Sequence, residues 1–207
     1  MKTSSAFLPD DPLISPRHRV SDWRRAMACD NWPSMICIFN DRINGRFLEP
    51  IRLIENDKAI GQFAGFSILA LDCLLIETLN QFYQGIDETP VRQLRKQFWV
   101  FFRNSEYFSE HFTEESAKAF YYHVRCGLLH QAQTKKLTFI RADQEAMIQL
   151  TNGNPSDGII VDRVKFHQAL KDEIDSYMTK LVSDNAAHAV LKENFMKKML
   201  IICGGAD

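Results

Sequence analysis

The chain has 207 residues, 45% hydrophobic and 25% charged, with a net charge of −1. That length suits one large domain or one domain with a small addition, and the composition is that of an ordinary globular protein. Near-neutral charge excludes a global field for nucleic acid or membrane, so any RNA contact must come from a local patch. The five cysteines, at 29, 37, 73, 126 and 203, form no CxxC pair. Their odd count and wide scatter predict reduced thiols in a cytoplasmic setting rather than a disulfide framework.

Residues 1–33 are expected to form an N-terminal arm and a short helix, and residues 34–203 a single helical domain. Pro9, Pro12 and Pro16 interrupt the arm, so no hydrophobic core of a signal peptide is present. A short helix is predicted from Ser15 or Pro16 to Ala28, with Val20, Trp23 and Met27 on one side. Trp32-Pro33 reads as a turn, and Ser34 as the cap of a helix whose apolar face is Met35, Ile36, Ile38, Phe39 and Ile43. Asn44-Gly45 predicts a break. A further helix around Phe47, Ile51 and Ile54 begins or kinks at Pro50.

Asn56 or Asp57 is expected to open the longest helix, running to Gln84 and stopping at Gly85. Its middle is apolar on nearly all sides, which marks a central, surrounded helix. Asp72 interrupts the apolar run, so no membrane span is predicted. Glu77 sits near the end of this helix. A buried carboxylate calls for a cationic partner, and Arg125 is the candidate; an exposed place on the helix rim is the alternative.

Asp87-Glu-Thr-Pro90 resembles a helix start. Beyond it Arg92, Arg95, Lys96 and Arg103 interleave with Phe98, Trp99, Phe101 and Phe102. Single-stranded RNA binding uses such a mixture of cations and rings. The other reading places the rings in the core or in a dimer interface.

Thr113 is a good N-cap for the next helix, with Glu114 and Glu115 at its positive end. Ala117, Phe120, Tyr121, Val124 and Leu128 form its apolar stripe, and Gly127 predicts a bend, a close backbone approach or the last turn. Arg125 and His130 close this helix. Five residues at roughly 100° each leave them about 140° apart, so they converge only through helix distortion, the reach of arginine or a second subunit. His123, Cys126 and His130 share a closer stripe and form an alternative metal-binding trio, with no fourth ligand in view.

After His130 the periodicity becomes that of strands. Residues 136–141 and 146–151 are expected to pair as a small β-hairpin through a turn at Asp143, with Ile159–Val161 as a third short strand. Helices are predicted for Arg163–Ser183 and Ala186–Ile202. The expected fold class is therefore all-α, a helical bundle with a small β insertion near residues 136–151.

An apolar helix ending Leu-Leu-Ile-Glu77-Thr-Leu, followed by a helix ending Tyr-Tyr-His-Val-Arg125-Cys-Gly-Leu-Leu-His130, resembles the HEPN superfamily (higher eukaryotes and prokaryotes nucleotide-binding). The resemblance covers about residues 45–200 in layout, but only Arg125, His130 and Glu77 in chemistry. It implies a helical bundle acting as a homodimer, with an Arg-x4–6-His motif from each subunit in one cleft. The implied activity is metal-independent cleavage of single-stranded RNA, without cofactors, in a toxin–antitoxin or phage-defence role. An antitoxin or other protein partner goes with that role.

RNA supplies its own nucleophile, the 2′-hydroxyl. Histidine suits proton transfer near neutral pH, and the arginine fork suits a charged phosphorane. Glu77 would orient Arg125, while Lys135, Lys136, Arg95 and Arg103 are candidates for flanking phosphates. The residue after the arginine is commonly Asn, Asp or His in active members, and here it is Cys126. The alternative expectation is accordingly a catalytically silent relative that binds RNA, nucleotide or protein.

Overall fold

A computed structural model describes residues 11–204. The helices are α1 (Val20–Ala28), α2 (Trp32–Ile43), α3 (Glu49–Asn56), α4 (Gly65–Gln84), α5 (Leu94–Asn104), α6 (Glu114–Ala119), α7 (Cys126–Gln131), α8 (Arg163–Val182) and α9 (Ala189–Ile202). Strands β1 (Phe139–Arg141), β2 (Ile148–Leu150) and β3 (Ile159–Asp162) lie between α7 and α8. The fold is mainly α with a small β insertion, as the periodicity predicts.

Two π-helical segments join helices that would otherwise be separate. Asn44–Leu48 carries α2 into α3, and Phe120–Arg125 carries α6 into α7. The first passes through Asn44-Gly45, where a break was expected. Pro33 lies in the first turn of α2, where a missing N–H costs nothing because that turn has no intrahelical acceptor, and Pro50 is the second residue of α3, directly after the π segment. Trp32-Pro33 is therefore helical rather than a turn, and the cap is Asn31, whose side chain accepts from Ser34 N.

α4 is the element the others surround. It packs against α5, α8, α9 and the π segment before Arg125. It starts later than its sequence suggests: α3 stops at Asn56, a 3-10 turn covers Gly61–Phe63, and α4 begins at Gly65. A Cβ on Gly61 would stand 2.6 Å from Glu55 O, so chain reversal here requires glycine. The far end matches expectation, with Gly85 left-handed at φ +63°. By length and composition α4 could cross a bilayer, but half of its apolar window is buried inside this fold.

The core is aromatic. Phe102 stacks on Phe112 at 3.9 Å, and Phe120 stacks on Phe166 at 5.0 Å. Phe39, Phe82 and Phe195 form a second knot, which the fully buried Trp23 of α1 joins edge-on at 5.8 Å. The arm before α1 is tied to α2 through Asp41, which accepts from Ser15 Oγ at 2.7 Å and Arg17 Nε at 2.7 Å.

The strand pairing differs from the hairpin expected of residues 136–151. The sheet order is β1-β3-β2, with β1 parallel and β2 antiparallel to β3. Ile159 and Val161 of β3 are fully buried, so the most apolar strand takes the centre and the two more exposed strands take the edges. β3 runs directly into α8 through Asp162, whose carboxylate accepts from Val164 N, Lys165 N and Gln144 N.

Candidate functional site

Thr113 starts the helix that carries the site. Its hydroxyl accepts from Ser116 N at 3.2 Å, and Ser116 Oγ accepts from Thr113 N at 2.9 Å, a reciprocal cap. The π segment follows, and a π turn holds more residues than an α turn, so it offsets the face of α7 from that of α6. Phe120, Tyr121 and Val124 go inward, and Arg125 emerges at the seam with α4.

There Arg125 meets Glu77. Nε donates to Oε1 at 2.7 Å and Nη2 to Oε2 at 3.1 Å, a two-pronged pair. The side chains are 12% and 15% exposed, so the pair is mostly desolvated and one edge of the guanidinium stays free of Glu77. Burial works against the arginine's charge, but the Glu77 carboxylate outweighs it and the pKa is raised. The guanidinium also lies 5.7 Å from the Tyr121 ring centre. Burial, then the neighbouring Cys126 thiol, pushes the Tyr121 phenol up to about 12, so it stays protonated.

His130 sits in the last turn of α7 and is exposed. The backbone from Cys126 onward is α-helical, which preserves the wide angle between the Arg125 and His130 side chains. The fold brings Arg125 to Glu77; it does not bring His130 to either within one chain. The helix then ends because Gly127 presses on the returning chain. A Cβ there would stand 2.4 Å from Gln133 O, and Ala132 turns left-handed at φ +53°. Of the three readings of Gly127, close backbone approach is the one realised.

Arg95 and Arg103 come together. With Lys96, Trp99, Glu114 and Lys118 they line an open groove of about 560 Å³ beside α5. Arg103 lies over Trp99 at 6.0 Å. Arg95 lies over Tyr122 at 5.8 Å and donates to its hydroxyl at 3.0 Å. Tyr122 touches Tyr121 at 5.4 Å, and Tyr121 lies 5.7 Å from the Arg125 guanidinium, so a relay of side-chain contacts links Arg95 to Arg125, although none of Tyr121, Tyr122, Glu77 and Arg125 lines the groove itself. Phe98, Phe101 and Phe102 are buried and take no part. The interleaved pattern thus divides into three core rings and one half-buried Trp99.

Lys135 and Lys136 lie elsewhere, on the turn after α7. Lys135 N donates to His123 O at 3.0 Å, and neither lysine lines the α5 groove. His123, Cys126 and His130 do not gather as a metal site. His123 Nδ1 faces Thr138 Oγ1 at 3.4 Å, and no group of three potential ligands forms among the described residues.

No family model, curated protein or solved structure matches this chain. The functional reading therefore stands on its residues alone.

Two buried polar groups escape a sequence reading. His167 on α8 is buried and its Nδ1 lies 2.8 Å from Asp72 Oδ1 on α4. The only sequence sign was Asp72 interrupting an apolar run. Glu173, also on α8, is 4% exposed and accepts from two hydroxyls. Nothing in the spacing of α8 singles it out.

Proposed function

We propose that this chain is a metal-independent endoribonuclease of the HEPN type, in which two copies face each other and pool their Arg125 and His130. The observation that carries the reading is the two-pronged Glu77–Arg125 pair, on the helix that ends in an exposed His130, with Tyr121 and Tyr122 linking Arg125 to Arg95 of a basic groove. His130 takes the proton of the 2′-hydroxyl, whose oxygen attacks the adjacent phosphorus. The bond to the 5′-oxygen breaks, and the partner's copy of the same imidazole returns a proton to it. The free edge of Arg125 holds the phosphorane charge, and Glu77 fixes that edge in place. Arg95, Arg103 and Trp99 hold the flanking single strand, with Lys135 and Lys136 as outer phosphate contacts. A cytoplasmic toxin or defence role, restrained by a protein antitoxin, belongs to the same proposal.

A second reading is a silent relative that binds RNA or a protein without cutting. It is favoured by Glu77 occupying two donors of Arg125 and by Cys126 beside it. One experiment separates the two. Purified protein is incubated with single-stranded RNA in the presence of EDTA. Cleavage that disappears in Arg125→Ala and in His130→Ala supports the nuclease. Cleavage retained in both variants removes this site from the chemistry. RNA retention in a gel-shift assay without cleavage selects the second reading.

A further inference from the structure

A separate cavity of about 490 Å³ lies between α4, α5 and α8, on the other side of Lys96 from the basic groove. Neither Arg125 nor His130 lines it. Its buried lining includes the Glu173 carboxylate. Tyr83 Oη donates to Oε1 at 2.5 Å, and Ser105 Oγ donates to Oε2 at 2.5 Å. Among the described residues no cation pairs with Glu173. Tyr83 keeps its proton, because burial and then the Glu173 charge raise its pKa far above the ordinary value.

A carboxylate oxygen has two acceptor positions. Each oxygen of Glu173 has used one, on a different hydroxyl, which leaves one position per oxygen. The partner that fits is a fork of two parallel N–H donors, and a positive fork would also neutralise the buried charge.

The more exposed part of the lining is basic, with Lys96 exposed and Lys180 half-buried. Lys180 follows Glu173 by seven residues on α8, about two turns and roughly 10 Å along the axis. Lys96 reaches the same rim from α5. The walls between are amides and rings, including a reciprocal Gln84–Gln97 pair at 2.7 and 3.2 Å. Electrostatics therefore runs from an acceptor at depth to cations at the mouth.

The geometry points to a binding site for an elongated small molecule with a guanidine-type N–H fork at one end, held by Glu173, and a carboxylate or phosphate at the other, held by Lys96 and Lys180. Two ligand sources share that chemistry: a guanidine-bearing amino acid and a guanine nucleotide.

The test is isothermal titration calorimetry on the full chain with L-arginine and, separately, guanosine monophosphate. The expected result is one-to-one binding of one probe, which identifies the source. Affinity should fall by roughly ten-fold or more in Glu173→Gln, since a charged fork contact is lost. A similar fall is expected in Lys180→Ala. Circular dichroism checks that Glu173→Gln folds. If it does not, Asn104→Trp decides, because this exposed rim residue blocks the mouth without touching the carboxylate. Absence of binding by both probes at millimolar concentration overturns the proposal, as does undiminished binding in folded Glu173→Gln or in Asn104→Trp. RNA cleavage is not an arm of this test, so the two proposals fail separately.

Discussion

At the scale of single residues, desolvation decides what each charge does. Glu77 was legible because a carboxylate near the end of an apolar helix demands a cation, and Arg125 supplies it with both prongs. Glu77→Ala leaves a mostly buried guanidinium unpaired and should lower stability by about 3 kcal/mol. The double variant Glu77→Ala/Arg125→Ala should lose less than the sum of the singles in urea melts, and strict additivity would mean the pair is not coupled. The cysteines sort by the same physics. Cys29 and Cys37 are exposed, whereas Cys73 is fully buried and burial pushes its thiol well up. A thiol reagent should modify Cys29 and Cys37 in the native protein and reach Cys73 only after denaturation. Native-state labelling of Cys73 would contradict its placement inside α4.

At the scale of elements, caps were legible and backbone irregularities were not. Thr113, Gly85 and the start of α8 near Arg163 carry local chemistry that stops or starts a helix whatever surrounds it. The π segments at Asn44–Leu48 and Phe120–Arg125 have no such signature, because no residue type encodes the wider turn. Strand pairing was hidden for a related reason. Short apolar runs announce strands but not neighbours, and the burial of β3 decides the order. Gly127 gives an element-scale test. Glycine to alanine within a helix ordinarily adds about 1 kcal/mol. Here the new Cβ would meet Gln133 O at 2.4 Å, a backbone atom that cannot swing away. Gly127→Ala should therefore lower the melting temperature, and a rise would show that the chain after α7 does not fold back as described.

At the scale of the whole molecule, one core among the described residues joins α1, α2 and α4 through α9, and a smaller cluster of Ile51, Ala64 and Ile68 seats α3 against α4. Phe102 contacts Phe98, Phe101, Phe108, Phe112, Phe120 and Phe166. Phe102→Ala should destabilise by about 3–5 kcal/mol in chemical denaturation, the range for deleting a fully buried ring. Stability should also depend on pH through His123. Burial first, then Lys136 and Lys135, hold its pKa below the ordinary 6.5. The unfolded chain therefore takes up this proton at a higher pH than the folded one. Stability attributable to His123 is intact above 6.5, declines as pH falls through that value, and reaches its full loss below the folded pKa. His123→Gln should flatten that part of the curve in urea midpoints measured across mildly acidic pH; an unchanged slope would remove His123 as its source.

By itself the amino-acid order determined the helix-rich class, the C-terminal end of α4, the ends of α8, the cap at Thr113 and the pairing of Glu77 with Arg125, since each depends on periodicity, on capping chemistry or on the cost of an unpaired buried charge. Only the tertiary structure decided that β3 lies between β1 and β2, that Arg95 and Arg103 share a groove while Lys135 and Lys136 do not, and that Glu173 lines a cavity between three helices. Those outcomes depend on which surfaces meet across long stretches of chain, and local spacing carries no information about that.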